Sequence, residues 1–491
     1  MHAFATTLLR KVALGRALHL RQWCSRQLSP TAHKLTSSYY FEPHTCTLMG
    51  NTFGDMINRA AAQWGGDVGW IFSKECKHIT YGEYKNDVDK ACRGLLAAGL
   101  QKGNPVALCS PNTYHWLVMY GALAKSGIVS ACIHPSCTPS ELETCLKKAD
   151  CAGIYVPESF ETIKYYQLLN DMIPELKNSP PGQLRSKRGC INLRDIFDGG
   201  SSDIVEVEKN VSFDDPLTII FTSGTTGTPK AAAISHHGFV NNVVAYHYRN
   251  PFDRCAVTMG GTVCTTDSRK LVGEKYNAAV VVGYGATETS TVACVAAYTD
   301  PEVKKMTTVG KPLPFTEAKI ADPLTGKETS INEPGEVWIR GHNVFLGYYG
   351  EEAKTREVIT PARWYKTGDI GTMDEDGYVT ITGRSKDVVI RGGENVYPVE
   401  VEGVLNGHPD VHEAFVLGVP NERMGEELCA WIVPKESSNI KDEELREHCK
   451  GKISRFKTPK YFVHEREYPK TSIGKPKKQE MRTLAVKKLG L

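Results

Sequence analysis

Acidic residues are missing from the first forty-one positions of the chain: no Asp or Glu precedes Glu42. Elsewhere charge is nearly balanced. A formal excess of +3 over 491 residues is too small to make nucleic acid or a membrane surface the main partner. Long apolar runs are absent too, and with no stretch near the ~18 residues a bilayer requires, no membrane-spanning helix is expected. The 15 cysteines include no C-x-x-C pair and no Cys/His cluster of zinc spacing, so reduced thiols are the plainer expectation than a disulfide scaffold. No internal repeat is evident. The ending, Lys488-Leu489-Gly490-Leu491, is not the Ser-Lys-Leu of a peroxisomal address.

What is present begins with basic residues among apolar and hydroxyl ones. Arg10, Lys11, Arg16, Arg21, Arg26 and Lys34 sit among Leu, Ala, Ser and Thr. Arg10 with Leu9, Val12, Leu14 and Leu18 can divide a helix into basic and apolar faces. Residues 1–41 therefore read as a mitochondrial transit peptide, which places the protein in the matrix; a disordered basic tail is the alternative.

From about Asn51, helical and strand patterns alternate. "MINRAAAQWG" reads as a helix, "VGWIFS" as a strand, and "YGEYKNDVDKACRGLLAAG" as a helix with Tyr84, Val88, Ala91, Leu95 and Leu96 on one face. "PVALCS", "GIVSACIH" and "AGIYVP" read as strands, separated by the helices "HWLVMYGALAKSG" and "PSELETCLKKAD". This rhythm predicts an α/β fold with a parallel sheet covered by helices. Residues 175–215, rich in Pro, Gly, Ser and charge, read as a long surface excursion. Past Gly335 short strands and turns take over, with a hairpin turn at Asp374-Glu375-Asp376-Gly377. A polar link, "GRSKD", predicts a boundary between a large domain over 42–385 and a smaller mobile α+β domain over 386–491.

One loop concentrates hydroxyls and glycines. "TSGTTGTPK", Thr222 to Lys230, follows the apolar strand Leu217 to Phe221, and a helix is expected from about Ser235. Gly224 and Gly227 let the backbone turn tightly and aim its N–H groups at an anion. Thr222, Ser223, Thr225, Thr226 and Thr228 add hydroxyl donors, and Lys230, after Pro229, adds a charge. A polyphosphate suits that chemistry, although the spacing is not a G-x-x-x-x-G-K-[ST] loop. A Gly/Thr-rich surface turn is the alternative. Further along, "GYGATETS" brings Tyr284 and Glu288, "YKTGDIG" brings Asp369, "GRSKDVVIRGGENVYP" brings Arg384, Lys386 and a glycine pair, and "YPKTSIGKPKK" brings Lys475.

In this order, "TSGTTGTPK", "YGATE", "YKTGD", "GRSKD" and "PKTSIGK" resemble the core motifs of the adenylate-forming acyl-CoA synthetase/luciferase superfamily. "GRSKDVVIRGGENVYPVEVE", "MGEELCAWI" and "GKISRFKTPKY" look most like its mitochondrial medium-chain acyl-CoA synthetase branch. The resemblance runs from about residue 50 to the end. It implies a fatty acid–CoA ligase using ATP, Mg²⁺ and coenzyme A. The carboxylate attacks the α-phosphorus of ATP, pyrophosphate leaves, and the thiol of coenzyme A then displaces AMP. By motif, Thr222, Ser223, Gly224, Thr225, Thr226, Gly227, Thr228, Pro229 and Lys230 would embrace the β- and γ-phosphates, with Thr225 among the catalytic groups. Glu288 would hold Mg²⁺, Tyr284 would stack on adenine, and Asp369 and Arg384 would bind the ribose hydroxyls. Lys475 would bridge the carboxylate and the α-phosphate. Lys386 would be the hinge about which the end domain swings, and Arg391, Gly392 and Gly393 would border the pantetheine route.

The chain departs from the pattern between "SHHGFVNN" and "GYGATE". Only Val243 to Val282 lie there, a deficit on the order of two βαβ units of roughly 30 residues each. The seam falls near "YHYRNPFDRCAV", and the lost portion would take much of the acyl tunnel with it. Removing internal strands should expose sheet edges and uncover apolar faces. Two other readings therefore stand beside the active ligase: a shortened, weakly active or inactive nucleotide-binding relative, and an enzyme that passes the acyl group to another acceptor.

Overall fold

A computed structural model of the chain describes residues 34–491 except 45–46, 161–162, 174–190, 192, 199, 223–228, 252–255, 261–265, 437 and 472–473. Residues 1–33, most of the basic leader, lie outside these bounds.

The expected α/β rhythm is realised in a six-stranded sheet. Its order is Gly347–Tyr348, Lys230–Ser235, Pro216–Thr222, Val129–Ile133, Pro105–Cys109 and Gly153–Tyr155. The last four run parallel and the first two antiparallel. The helices Phe53–Trp64, Tyr81–Ala97 and Tyr114–Ser126 pack their apolar faces into one core, with Tyr84, Val88, Ala91 and Leu95 buried and Leu96 half-buried. Thr52 and Thr80 form capping boxes, satisfying first-turn N–H groups that a helix cannot pair internally. Part of the expected surface excursion is structured: Ile196 and Ile204, on the short helices Leu193–Asp198 and Ile204–Lys209, are buried in that same core.

A second sheet of four strands, Ala256–Gly260, Ala279–Tyr284, Cys294–Val295 and Lys311–Pro312, contains one parallel pair, bridged by the helix Thr266–Tyr276. Ala256–Gly260 is its outer strand. Leu271 and Tyr276 on the bridging helix are 65% and 58% exposed. A third sheet, antiparallel throughout, takes Tyr39–Phe41, Thr316–Ala321, Gly335–Gly341, Tyr365–Met373 and Val379–Arg384. Its first strand corrects the sequence-based end of the leader at residue 41. Tyr39–Phe41 pairs with Thr316–Ala321, and Ser38 is fully buried with its hydroxyl donating to Ser330 O at 2.7 Å. A segment with those partners belongs to the folded chain.

A single 3₁₀ turn, Ser385–Asp387, leads from the third sheet to a fourth. That sheet runs Glu394–Val396, Val389–Arg391, Gly425–Pro434 and Val411–Asn421, with Tyr461–His464 parallel to Gly425–Pro434. Pro398–Asn406, Asp442–Cys449 and Lys478–Leu489 cover it, the last formed by the basic end segment.

A buried histidine and a half-buried one make the large unit acid-sensitive. His236 accepts a hydrogen bond from Phe53 N at 3.0 Å through Nδ1, and burial pushes it down to about 4 against the raising influence of Asp215 and Asp55. Burial, with His237 beside it, likewise pushes His342 to about 4. Both lie below the unfolded value, so the unfolded chain gains protons first as pH falls. Stability is complete above about pH 6.5 and declines toward pH 4, by about 2 kcal/mol per ring at pH 5. Urea unfolding at pH 7 and pH 5 measures this; equal free energies at the two values would contradict it.

Candidate active site

The loop Thr222–Lys230 closes a hairpin. The helix expected from about Ser235 is His236–Arg249, N-capped by Ser235, and the residues between loop and helix, Lys230–Ser235, form a strand antiparallel to Pro216–Thr222. Thr222 and Lys230 are therefore cross-strand partners. The residues between them that carry most of the phosphate-binding expectation, Ser223, Gly224, Thr225, Thr226, Gly227 and Thr228, lie outside the described positions. Pro229 precedes Lys230, whose ammonium sits 4.8 Å from the ring centre of Tyr348.

Tyr348 was not singled out by motif, yet it connects two expected site residues. Its strand, Gly347–Tyr348, pairs with Lys230–Ser235 through Ala232 and Ala233. Its hydroxyl donates to Glu288 Oε1 at 2.9 Å. Burial, with Glu288 close by, pushes the phenol well above its usual value, so it remains a donor. The only sequence hint was an aromatic pair beside glycines in "FLGYYG".

Glu288 sits on the 3₁₀ turn Thr287–Thr289, just past Tyr284 at the end of Ala279–Tyr284. Thr289 Oγ1 accepts from Ala286 N at 2.9 Å, and Glu288 O accepts from Phe345 N at 2.9 Å. A Cβ on Gly285 would lie 2.2 Å from Thr291 O, so only glycine fits that approach. Ser290 and Thr291 hold φ of 50° and 97°, a left-handed stretch costly for a β-branched residue and stabilised here by the surrounding bonds.

On the third sheet, Asp369 and Arg384 are cross-strand partners on Tyr365–Met373 and Val379–Arg384. Asp369 Oδ1 lies 3.1 Å from Arg384 Nε, and Oδ2 accepts from the Tyr284 hydroxyl at 2.7 Å. Burial raises the Asp369 carboxyl, while Arg384, Tyr284 and Lys386 pull it back down. The turn expected at Asp369 is instead the strand Tyr365–Met373, in which Gly368 N donates to Glu336 Oε1 at 2.9 Å and fixes the backbone beside Asp369.

Lys386, on the Ser385–Asp387 turn, completes a charge network. Partial loss of solvent lowers its ammonium, as do the Arg384 and Lys230 charges, whereas Asp387 and Asp369 raise it. Tyr284, Glu288, Asp369, Arg384, Lys386, Lys230 and Tyr348 thus form one interacting region contributed by three sheets and the connecting turn.

Two expected groups stand apart. Arg391 pairs with the buried Glu427, and Gly392-Gly393 closes the hairpin at φ of 59° and 89°. Both glycines require the left-handed region, and a Cβ on Gly392 would meet Met424 Cε at 2.4 Å. Lys475 is exposed on a turn in which Thr471 N donates to Lys475 O at 2.8 Å and Lys475 N to Thr471 Oγ1 at 3.0 Å. Among the described residues, its side chain makes no ion pair with the cluster.

Among the described residues no group of three or more His, Cys, Asp or Glu side chains could hold a metal alone. Glu288 offers one hard carboxylate whose Oε2 makes no hydrogen bond among the described residues, beside a lysine suited to phosphate. That donor set fits a cation which takes one or two carboxylates and completes its shell with phosphate oxygens, as Mg²⁺ does.

A cluster of aromatic, acid and base on an α/β scaffold with an appended α+β unit defines a class. Residues 57–261 and 254–349 match the AMP-binding enzyme family, and 400–475 match its C-terminal domain. The chain belongs to the AMP-binding enzymes. It is 34% identical to the Danio rerio protein "Medium-chain acyl-CoA ligase ACSF2, mitochondrial" over 562 residues, covering 94% of this chain and 93% of that protein. The Homo sapiens protein of the same name is 33% identical over 547 residues, at 90% and 89% coverage. Both alignments exceed the chain's own 491 residues. The fold is shared with ATP-bound MatB of Rhodopseudomonas palustris (TM-score 0.71, 24% identity, 84% of this chain and 94% of that one). It is also shared with Bacillus subtilis o-succinylbenzoate CoA synthetase in complex with its acyl-adenylate (TM-score 0.73, 19% identity, 89% and 99%).

Because Tyr348 connects Glu288 and Lys230, Tyr348→Phe should weaken ATP binding through that one lost hydroxyl. A hydrogen bond to a charged group contributes about 1.5–3 kcal/mol, so the affinity should fall about tenfold or more. Calorimetric titration with ATP and magnesium tests it; unchanged affinity would remove the positioning role.

Proposed function

We propose that the chain is an ATP-dependent acid–thiol ligase that activates a medium-chain fatty acid as acyl-AMP and transfers it to coenzyme A in the mitochondrial matrix. The observation that carries this is the Tyr284–Asp369–Arg384 cluster joined by charge to Lys386 and Lys230 and flanked by Glu288. An aromatic face suits adenine, a carboxylate and guanidinium suit two ribose hydroxyls, and a lysine-ended hairpin suits phosphates.

Each residue's work follows from its chemistry. Tyr284 stacks on the base, Asp369 accepts from the ribose hydroxyls, and Arg384 holds Asp369 ionised against its burial. Thr222 to Lys230 wrap the β- and γ-phosphates, with backbone N–H groups and hydroxyls donating and Thr225 among them. Glu288, steadied by Tyr348, would hold Mg²⁺. When bound, the ion supplies positive charge that offsets the phosphate oxygens. Lys475 places a cation between the carboxylate and the α-phosphate during adenylation. Lys386, on the turn joining 42–385 to 386–491, acts as hinge, exchanging Lys475 for the Arg391-Gly392-Gly393 hairpin along the pantetheine path.

The chain is read as shortened near residue 250, supported by alignments longer than itself and by two family matches that overlap at 254–261. The comparisons lend no support to an inactive relative. The mitochondrial location is supported by the names of the relatives and by the basic leader.

Fatty-acid-dependent exchange of labelled pyrophosphate into ATP, followed by thioester formation on adding coenzyme A, tests the proposal. Exchange that peaks with medium chains supports it. Binding of ATP with no exchange for any carboxylate would refute the ligase and favour a nucleotide-binding role. Acyl-AMP without thioester would point to another acceptor.

A further inference from the structure

We propose that Cys109 and Cys137 are a thiol pair that oxidises to a disulfide, a modification site at the carboxyl ends of the parallel strands. Cys109 ends the strand Pro105–Cys109 and is fully buried. Cys137 lies in the turn after Val129–Ile133, directly before Thr138, the N-cap of Pro139–Lys148, and is 8% exposed. The two converge on one acceptor: His134 O lies 3.7 Å from the Cys109 thiol and receives the Cys137 N–H at 3.1 Å. Both belong to one apolar cluster with Tyr165, whose hydroxyl donates to Pro135 O in the same turn.

The two thiols sit in that one cluster, and their proximity splits their acidity. Cys109 favours the Cys137 thiolate and holds it below the usual thiol value, whereas the same proximity and burial push Cys109 well above it. Burial alone acts the other way, as Cys145 and Cys151 nearby show, each pushed up to about 12. Cys137 is thus the rim nucleophile and Cys109 the enclosed partner that resolves it.

With glutathione disulfide as oxidant, the Cys137 thiolate attacks one sulfur, forming a mixed disulfide and releasing one glutathione thiolate. Cys109 then attacks Cys137 Sγ, and its proton passes to the second glutathione sulfur as that group leaves as a thiol. Two protein thiols are oxidised and one glutathione disulfide is reduced to two thiols. The new bond ties the His134–Cys137 turn to the adjacent strand end. The strand feeding that turn, Val129–Ile133, pairs in parallel with Pro216–Thr222, with Cys132 opposite Ile220. The tether therefore lies one strand from Thr222, where the hydroxyl-rich loop begins. Oxidation is expected to weaken ATP binding about fivefold or more, and this consequence rests on the ligase reading.

The test equilibrates the full chain in glutathione buffers of stepped ratio, quenches with an alkylating agent, and maps peptides by mass. The expected product is two hydrogens lighter, links the Cys109 and Cys137 peptides, and rises through a single midpoint. Cys137→Ser, at the rim where folding is least disturbed, should abolish the link; Cys145→Ser should retain it. Both thiols remaining alkylatable at the most oxidising ratio, or a link from either one to Cys145 instead, would overturn the pair. Calorimetric ATP titration of the same samples reads the consequence: equal affinity in linked and reduced protein would overturn the coupling. No ATP affinity in reduced protein would count against the ligase reading while leaving the disulfide site standing.

Discussion

Replacing Lys475 by Ala is expected to abolish most adenylation while sparing thioester formation from supplied acyl-adenylate. The side chain is exposed on a well-bonded turn with Gly474 at φ 79°, and among the described residues it holds no counter-ion. Its removal should cost folding within about 0.5 kcal/mol, as at other surface positions without special contacts. The catalytic effect should be much larger. Negative charge from the carboxylate and the α-phosphate meets in the first half-reaction, where one preorganised cation contributes about 2.7–4 kcal/mol, or a factor of about 10²–10³. The second half-reaction starts from a species whose phosphoryl chemistry is finished, so it should change little. Single-turnover measurements of each half, with unfolding curves alongside, check the split. Equal losses in both halves would strip Lys475 of the assigned role.

Asp369→Asn should give the second largest effect, and it should fall on ATP affinity. Both oxygens of Asp369 are engaged, one by Tyr284 and one by Arg384, so the carboxylate is aimed before any nucleotide arrives. Substituting an amide keeps the volume but removes the charge, one acceptor and the pairing with Arg384. Hydrogen bonds to a charged group contribute about 1.5–3 kcal/mol each, so two ribose hydroxyls predict an ATP KM about 10²-fold higher. Asp369→Ala should lose more, because the Tyr284 hydroxyl would be stranded in a buried site at a further cost of about 1–3 kcal/mol in stability. Steady-state KM for ATP, with thermal unfolding of both variants, measures these effects. An unchanged KM in Asp369→Asn would show that the ribose binds elsewhere.

The comparison of Asp369 with Tyr348 shows what could be read early. Asp369 stood out in "YKTGD" because a lone carboxylate suits a pair of sugar hydroxyls, with a turn former as the plainer alternative. Tyr348 did not, because its importance comes from a partner 60 positions away, reached only when Gly347–Tyr348 pairs with Lys230–Ser235. The same limit explains the hairpin. "KAAAIS" has neither alternation nor β-branched density, and it becomes a strand because Pro216–Thr222 offers it an unpaired edge.

The sequence by itself determined the family and most helices, since amphipathic faces, caps and motif spacing are local properties. Only the tertiary structure decided that Tyr39–Phe41 belongs to a sheet, that Tyr284 bonds Asp369, and that two cysteines share one carbonyl. Those facts arise from strands far apart in the chain becoming neighbours, which no short window of residues encodes.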